Sequence, residues 1–269
     1  MDLGTRDTDL LVFGGPYSNV QATQAVLARA GTLGIAADHV ICTGDSVAYC
    51  GAPQACVDVL RSAGCTVVAG NCEIQLAQGA QDCGCGFKEG TTCDRLSAAW
   101  YAFADQQLGV ASRRWMAGLP DVVTFTHHGK RFGVIHGGIT DVARFIWQSD
   151  DAAVFAHEWG ALEALCGSVD GVIAGHSGLP FVRETARGPW LNAGVIGMPP
   201  HDGKQQTRFA VLIAGQMQIL ELEYDVSGAV ADMDAAGLPR QYRDALRSGY
   251  WPSEDVLPEA LRVAVSDRG

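Results

Sequence analysis

The chain has 269 residues and a formal net charge of −11 at pH 7, because 30 acidic side chains outnumber 19 basic ones. Such an acidic surface repels phosphate backbones and anionic lipids, so we expect neither nucleic acid nor a membrane as a partner. No apolar run reaches the roughly 20 residues of a membrane span, and residues 1–7 lack the basic start and apolar stretch of a signal peptide, so we expect a cytoplasmic protein.

The first quarter of the chain alternates short apolar runs with segments that have helical spacing. The predicted strands are Leu10–Phe13, Val40–Cys42 and Thr66–Ala69, and the predicted helices are Val20–Leu33 and Pro53–Ala63. Asn19 is placed to cap the first helix. Strands and helices that alternate in this way indicate a parallel sheet with right-handed crossovers.

A Gly-rich and Cys-rich loop over residues 81–93 interrupts this alternation. After the loop, Asp94 is placed to cap a helix that ends near Leu108, and a short helix is predicted over Ala111–Gly118. The remaining predicted elements are a hairpin of Val122–Thr126 and Arg131–Ile135, a helix over Ala156–Leu165, and strands at Gly171–Ala174, Phe181–Arg183, Pro189–Leu191, Arg208–Ile213 and Met217–Leu222.

Polar residues stand where four of the predicted strands end. Asp45 and Asn71 follow strands of the first quarter, and His136 and His176 follow two later strands. Because ligands bind at the carboxyl ends of strands in open α/β sheets, we expect these four side chains to lie together. Carboxylate, amide oxygen and imidazole bind divalent cations such as Mn, Fe or Zn, so the four predict a transition-metal site. A single His at the end of a strand is more often a structural residue than a metal ligand. The prediction therefore depends on the occurrence of four such polar residues, each at a strand end, in one order along the chain.

Five motifs around these residues resemble those of the calcineurin-like metallophosphoesterases, in their small bacterial branch. Residues 44–50 resemble the family's GDxxxYG, 70–73 its GNHE, 136–138 its histidine–glycine element, 175–180 its GHTHxP and 192–199 its NPGSVGxPR. The resemblance covers residues 10–215. It implies a four-layer α/β/β/α sandwich, with two mixed sheets flanked by helices, that hydrolyses a small phosphate mono- or diester at a paired-metal centre. We accordingly predict one domain over residues 1–249, with the Cys-rich loop inserted, and a docked tail over residues 250–269.

The departures from the family pattern concern one of its two metals. Gly15-Pro16-Tyr17 stands where the family has Asp-x-His, Cys72 where GNHE has its His, and Gly178 where GHTH has its second His. The resemblance assigns the missing first Asp, first His and last His to one metal, and the His that Cys72 replaces to catalysis. The ligands that it assigns to the other metal all remain: Asp45, Asn71, His136 and His176. It therefore implies a single ion, and slower phosphoesterase turnover than two ions would give.

Two residues at the altered positions are candidates for proton transfer. Tyr17 either points its phenol at the ion or the phosphate, or fills the space of the lost imidazole. Cys72 is a ligand, a nucleophile with a pKa lowered by the cation, or a small filler. For the substrate, we expect the backbone amides from Gly15 to Asn19 to cradle the phosphate, and Gly138 and His201 to face the cleft.

The cysteine loop leaves three alternatives open. Cys83, Cys85 and Cys93 lie within eleven residues, and with Cys72 they could bind zinc or an iron–sulfur cluster. They could equally form a disulfide or redox pair, or remain inert thiols. The other cysteines sit in apolar contexts typical of a core.

The function expected from this sequence is metal-dependent hydrolysis of a small phosphate ester. The alternative is a non-catalytic descendant of the same fold that binds a phosphorylated ligand, with the cysteine loop as a redox or metal sensor. A nucleotide-binding Rossmann-like domain is a weaker idea, because the first strand-to-helix turn, Gly14-Gly15-Pro16-Tyr17-Ser18-Asn19, lacks GxGxxG spacing.

Overall fold

The computed structural model describes residues 1–263. This part of the chain contains eleven strands and eight α-helices. The strands are β1 (Asp2–Thr5), β2 (Leu10–Phe13), β3 (Val40–Cys42), β4 (Thr66–Val67), β5 (Val123–His127), β6 (Lys130–Val134), β7 (Gly171–Ala174), β8 (Phe181–Glu184), β9 (Pro189–Asn192), β10 (Thr207–Ile213) and β11 (Gln216–Leu222). The helices are α1 (Val20–Thr32), α2 (Pro53–Ala63), α3 (Asn71–Gln78), α4 (Thr92–Gln107), α5 (Val110–Ala117), α6 (Ala152–Cys166), α7 (Val226–Ala235) and α8 (Arg240–Ser248). None of the helices within residues 1–263 has the length and apolarity that crossing a bilayer requires.

The strands form two mixed sheets. The five-stranded sheet has the order β11-β10-β2-β3-β4, with β2, β3 and β4 parallel. The six-stranded sheet has the order β1-β5-β6-β7-β9-β8, with β6, β7 and β9 parallel. Each sheet therefore contains a parallel core whose strands end at the same edge, and antiparallel strands lie outside it.

The two sheets face each other with helices outside them, which confirms the predicted four-layer sandwich. Alternation along β2 shows the layers: Leu10 and Val12 pack between the sheets, whereas Leu11 and Phe13 pack against α1 on the outer face. On the other side, α6 covers the six-stranded sheet, where Trp159 packs with Trp190. Apolar side chains on both faces of each sheet explain why the strands read as continuous apolar runs.

Several boundaries differ from the sequence prediction. Helix α4 begins at Thr92, since the Thr91 hydroxyl accepts a hydrogen bond from Asp94 N (3.3 Å) and is the N-cap that we assigned to Asp94. Helix α6 begins at Ala152, four residues before the predicted start. Elements β1, α3, α7 and α8 were not predicted. Helix α3 begins within the motif that we interpreted as a strand-end turn, and Gly228 interrupts the helical signal of α7.

Residues 250–263 pack against the domain through buried polar contacts. Trp251 N donates a hydrogen bond to His201 Nδ1 (2.8 Å), and the Trp251 indole donates to the Pro199 carbonyl (2.7 Å). His201 Nε2 lies 2.7 Å from the Glu254 carboxylate. The last six residues of the predicted tail, 264–269, lie outside the described part of the chain.

The layer between the sheets should dominate stability. Phe132 of β6 is 1% exposed and its ring packs 5.4 Å from that of Phe125. We expect Phe132→Ala to lower the free energy of unfolding by about 3–5 kcal/mol, because it removes buried surface and leaves a cavity. Urea denaturation measures this. Leu165→Ala, at a residue 68% exposed, is the control and should change stability by less than about 0.5 kcal/mol. An equal effect of both variants would contradict the assignment of this core.

Candidate metal centre

The four predicted ligands meet where the parallel strands of the two sheets end. Asp45 follows β3, and Asn71 is the first residue of α3 after β4, so both come from the five-stranded sheet. His136 follows β6 and His176 follows β7 in the six-stranded sheet. All four are buried, at 6% exposure or less. One sheet thus supplies two oxygen donors and the other supplies two imidazoles.

The donor atoms of the four side chains lie within a few ångströms of one another. His136 Nε2 is 3.0 Å from His176 Nδ1, 3.1 Å from Asn71 Oδ1 and 3.2 Å from Asp45 Oδ2. His176 Nδ1 is 3.6 Å from Asp45 Oδ2. A tetrahedral cation with ligand bonds of about 2.0–2.1 Å separates its ligands by about 3.3–3.4 Å. The observed spacings therefore match the edges of such a coordination shell.

Hydrogen bonds to other groups fix which atoms face the centre. His136 Nδ1–H donates to the Thr43 carbonyl (2.6 Å), which leaves the Nε2 lone pair directed inward in the neutral ring. The Asn71 amide nitrogen donates to the Cys83 carbonyl (2.8 Å), which turns Oδ1 inward. Asp45 Oδ1 accepts from Cys72 N (3.3 Å), so Oδ2 faces the imidazoles. Lone pairs that converge in this way repel one another unless a cation or a proton lies among them. Burial alone would lower the pKa of His136, but the adjacent Asp45 outweighs it and raises this pKa, so a proton on His136 Nε2 is the alternative to a cation.

The charges of the centre suit a cation as well. Burial alone would raise the pKa of Asp45, but the adjacent His136 and His176 outweigh it and hold this pKa far below its ordinary value. Burial lowers the pKa of His176, so this imidazole stays neutral at pH 7. His176 Nε2 has no hydrogen-bond partner within residues 1–263, which leaves the ring polar, buried and incompletely paired. An ionised carboxylate beside a neutral imidazole is a ligand set that fits a divalent transition metal.

The backbone adopts unusual conformations to present these ligands. Asp45 has φ 56° and His176 has φ 59°, in the left-handed region that non-glycine residues rarely occupy. Gly44, at φ 100°, precedes Asp45, and a Cβ there would lie 2.8 Å from His136 Nδ1. Strain of this kind concentrates at functional sites, where the surrounding structure holds it in place.

Glu73 supports the loop that carries Asp45. Its fully buried carboxylate accepts hydrogen bonds from Asp45 N (2.9 Å), Ser46 N (2.6 Å) and Gly70 N (2.8 Å). Sequence reasoning quoted Glu73 within the GNHE-like motif but gave it no role. Its signal was available, because an acidic residue two positions after Asn71 lies in the first turn of α3, where it can reach back to free amides.

Glu158 of α6 does the same for the loop after His136, and sequence reasoning missed it. The buried Glu158 carboxylate accepts from Ile139 N (2.6 Å) and Thr140 N (3.1 Å) and pairs with Arg144 (2.8 Å). Its sequence context is a largely apolar helix, in which no local motif assigns it a role. Two buried carboxylates, one from each half of the molecule, therefore position the loops of the centre.

The predicted phosphate cradle from Gly15 to Asn19 is wrong. Every amide of the segment already donates to a backbone carbonyl: Gly15 N to Gly44 O, Tyr17 N to Asp45 O, Ser18 N to Ser46 O and Asn19 N to Pro16 O. The Asn19 side chain is also engaged, since it accepts from Ala22 N (3.0 Å) as the N-cap of α1 and donates to the Gly197 carbonyl (3.2 Å). The segment fastens the Asp45 loop and has no amide left for an anion.

Two further residues predicted to contact substrate have other partners. Gly138 N donates to the Asp141 carbonyl (3.1 Å) within its own turn. Both ring nitrogens of His201 contact the C-terminal segment, at Trp251 N and Glu254. Neither residue therefore offers a free donor to a substrate, and His201 serves to hold residues 250–263 in place.

Tyr17 and Cys72 lie beside the centre as protonated groups. Burial, with a contribution from the charge of Asp45, raises the pKa of Tyr17 well above its ordinary value. For Cys72, a hydrogen bond with Cys85 lowers the pKa, but burial and Asp45 outweigh it and raise the pKa well above the usual range. The protein surroundings thus oppose the lowered thiol pKa that we expected at Cys72, and at pH 7 they favour the phenol and the thiol.

The four cysteines do not gather around one point. Cys72, Cys83 and Cys85 lie around Asn71, whose amide nitrogen is 3.3 Å from Cys85 Sγ. Cys93 instead contacts Ser253 of the C-terminal segment. Within residues 1–263, Asp45, His136 and His176 form the one group of three His, Cys, Asp or Glu side chains whose ligand atoms all lie within 4.8 Å. The zinc or iron–sulfur site, one of the three alternatives left open for these cysteines, is therefore not formed by the thiols in this arrangement.

A cleft opens beside His176, and aromatic side chains form much of its wall. Tyr17, Tyr49, Phe145 and Trp251 line it, together with residues of the Cys-rich loop and the C-terminal segment. The Phe145 ring lies 4.4 Å from that of His176, centroid to centroid. Sequence reasoning quoted Tyr49 within the GDxxxYG-like motif but gave it no role, and it missed Phe145, because a single aromatic residue in a loop is indistinguishable from a core residue by pattern alone.

Comparison with known proteins agrees with this fold. Residues 17–216 match a family model described as the calcineurin-like phosphoesterase superfamily domain. A crystal structure of a metallophosphoesterase from Sphaerobacter thermophilus aligns with a TM-score of 0.69 and 21% identity, over 91% of this chain and 100% of the other. A hypothetical protein from Pyrococcus horikoshii OT3 aligns with a TM-score of 0.72 and 16% identity, over 91% and 99%. At these identities the structural likeness concerns the fold. Proteins of curated function give no match.

The role of Glu73 can be tested through metal affinity. Glu73→Gln replaces one accepting oxygen with an NH₂ group that faces the amides of Asp45, Ser46 or Gly70, so the Asp45 loop should shift. We expect affinity for Mn²⁺ or Zn²⁺ to fall by about 10- to 100-fold, as measured by isothermal titration calorimetry. Glu163→Gln is the matched control. Glu163 lies on α6 and pairs with Arg187, away from the centre, so this variant should bind metal like the wild type. Unchanged affinity in both variants would refute the positioning role.

Proposed function

The chain belongs to the calcineurin-like phosphoesterase superfamily, and on that premise we propose that it is a metal-dependent hydrolase of a small phosphate mono- or diester that uses a single divalent ion. The observation that carries the proposal is the convergence of four donor atoms, with separations of 3.0–3.6 Å, at the meeting edge of the two sheets. Nine cysteines that are all free are consistent with a reducing compartment such as the cytoplasm.

Asp45, Asn71, His136 and His176 would hold the ion, which we take to be Mn, Fe or Zn. When bound, such an ion polarises a phosphoryl oxygen and lowers the pKa of a water molecule. The side chains contribute orientation: His136 is fixed by the Thr43 carbonyl, Asn71 by the Cys83 carbonyl, and the Asp45 loop by Glu73.

Carbon atoms occupy the space beside Gly15 and Gly178, where the family has two ligands of its first metal. This packing supports a single ion. A Cβ added at Gly15 would lie 2.7 Å from Tyr17 Cζ and 2.5 Å from Val195 Cγ1. A Cβ added at Gly178 would lie 3.0 Å from Trp251 Cζ2. Restoring ligand side chains at these two positions would therefore require the neighbouring rings and Val195 to move.

Tyr17 is our candidate for proton transfer. Its phenol is close enough to Asp45 for that charge to raise its pKa, and it also lines the cleft. A phenol that stays protonated can donate a proton or a hydrogen bond to the oxygen of a leaving group. Cys72, buried at 1% exposure and protonated, serves better as a compact neighbour than as a nucleophile.

The second candidate is a descendant that binds a phosphorylated ligand without hydrolysing it. The altered motif positions support this alternative, because Cys72 stands where the family has its catalytic His, and Gly15-Pro16-Tyr17 and Gly178 stand where it has ligands of a second metal. The two candidates differ in one observable: both bind metal, but the hydrolase alone releases phosphate or an alcohol at a rate that depends on the metal.

Metal content and turnover test the assignment of the ligands. Purified protein should contain about one transition-metal ion per chain by mass spectrometry, and it should hydrolyse at least one of glycerol phosphate, phenyl phosphate or bis(4-nitrophenyl) phosphate. Asp45→Ala and His176→Ala should each remove the ion and lower turnover at least about 100-fold. Asp244→Ala, at an exposed residue of α8, is the control and should keep both metal and activity.

Retention of both metal and activity by the Asp45 and His176 variants would show that the site is elsewhere. Metal without turnover in the wild type would favour the binding protein.

Leaving-group dependence tests the role of Tyr17. Tyr17→Phe removes the hydroxyl and keeps the ring, so metal content should not change, whereas kcat for an alkyl ester should fall by about 100-fold. The loss should be much smaller for a 4-nitrophenyl ester, because 4-nitrophenolate leaves without a proton. Tyr224→Phe, at a tyrosine that does not line the cleft, should behave like the wild type. The same loss with both leaving groups would indicate that Tyr17 acts through packing alone.

A further inference from the structure

The cleft beside the metal centre has an unusual lining for a site that handles phosphate esters. Six aromatic rings line it, from Tyr17, Tyr49, Phe87, Phe145, Tyr242 and Trp251. None of the sixteen described residues that line it is Lys, Arg, Asp or Glu. The polar groups are those of His176, two serines, one cysteine and the tyrosines.

This apolar lining is continuous with the proposed metal centre. His176 belongs to both, since its Nδ1 faces Asp45 Oδ2 at 3.6 Å and its ring packs 4.4 Å from the Phe145 ring. Tyr17 also belongs to both, because it lines the cleft and lies close to Asp45. A molecule whose phosphoryl group lies at the centre therefore has the rest of its structure beside these rings.

The lining of the cleft disfavours some groups on a bound phosphate ester and favours others. A phosphate chain or a sugar would leave charges or hydroxyl groups without partners against aromatic carbon, which costs free energy. An uncharged aromatic ring would bury apolar surface there and could make edge-to-face or stacked contacts with the existing rings. These rings already contact one another in that manner, as Tyr17 and Tyr49 do at 4.7 Å and 76°.

We propose that the site takes a phosphate ester of an aromatic alcohol, with the aromatic ring in this cleft and the phosphoryl group at the metal centre. The inference rests on the proposed function and names its substrate class. Hydrolysis breaks the bond between phosphorus and the aryl oxygen, and water supplies the oxygen that replaces it. A proton from water goes to the departing aryl oxygen, so the products are the aromatic alcohol and phosphate, and no other reactant is required.

Trp251 is the residue that we expect to set this preference. Its indole is held by the Pro199 carbonyl and its backbone by His201, so the ring is fixed as a wall of the cleft. Gly178 stands opposite, where a Cβ would lie 3.0 Å from Trp251 Cζ2. Because residue 178 has no side chain, the Trp251 indole can pack directly against its backbone.

Binding of two non-hydrolysable probes tests the proposal. Protein loaded with Mn²⁺ is titrated with phenylphosphonate and with methylphosphonate, which share the phosphoryl head and differ in the ring. We expect phenylphosphonate to bind at least about 10-fold more tightly, because its ring loses contact with water in the cleft. Equal affinity, or no binding of phenylphosphonate, would overturn the proposal.

Two variants connect that preference to the cleft. Trp251→Ala should remove most of the advantage of phenylphosphonate and leave methylphosphonate affinity unchanged. Val256→Phe fills the cleft from the C-terminal segment and should have the same effect without removing any side chain that holds the segment. Val110→Phe, the same substitution at a residue 75% exposed outside the cleft, is the matched control and should keep the wild-type preference. A preference that survives both cleft variants would place the ring elsewhere and refute the proposal.

Turnover separates this proposal from the proposed function. A preference for phenylphosphonate without metal-dependent hydrolysis of phenyl phosphate would refute the hydrolase and uphold the aromatic site. Hydrolysis of glycerol phosphate and phenyl phosphate with equal kcat/KM, and no binding preference, would uphold the hydrolase and refute the aromatic site.

Discussion

The hydrogen bond from His136 Nδ1–H to the Thr43 carbonyl connects the two halves of this molecule at the point where its chemistry is expected. Thr43 belongs to the turn after β3 in one sheet, and His136 follows β6 in the other. Because this bond occupies Nδ1, the other ring nitrogen faces Asp45, Asn71 and His176. One contact of 2.6 Å therefore joins the ends of two strands from different sheets and fixes the orientation of the imidazole. If the sheets slid past one another, the two oxygen donors and the two imidazoles would separate.

The sequence was sufficient to predict that these four side chains lie together, because each follows a buried strand. Asp45, Asn71, His136 and His176 come after apolar runs, and parallel strands bring their carboxyl ends to one edge whatever the details of packing. The backbone amides near Gly15 could not be predicted in the same way. Whether an amide is free depends on which carbonyl lies opposite, and Gly44, Asp45 and Ser46 supply those carbonyls from another turn. That arrangement is tertiary and leaves no local pattern in the sequence.

The cysteines illustrate the same limit. Spacing placed Cys83 and Cys85 near each other, and the structure does bring them to Asn71 with Cys72. Spacing could not show that Cys93 faces Ser253, because that contact depends on how residues 250–263 return to the domain. In helix α7, Gly228 weakens the helical pattern, and packing against the domain decides the structure. Helix α8 is strongly amphipathic, with Tyr242, Ala245 and Leu246 on its buried face, so its pattern was available and sequence reasoning missed it.

The C-terminal segment gives this fold an order of assembly during synthesis. The four predicted metal ligands have all been translated once His176 has emerged, whereas Trp251 follows 75 residues later, after the residues Pro199 and His201 that hold it. The donor groups of the candidate centre are therefore synthesised before the indole that forms one wall of the neighbouring cleft.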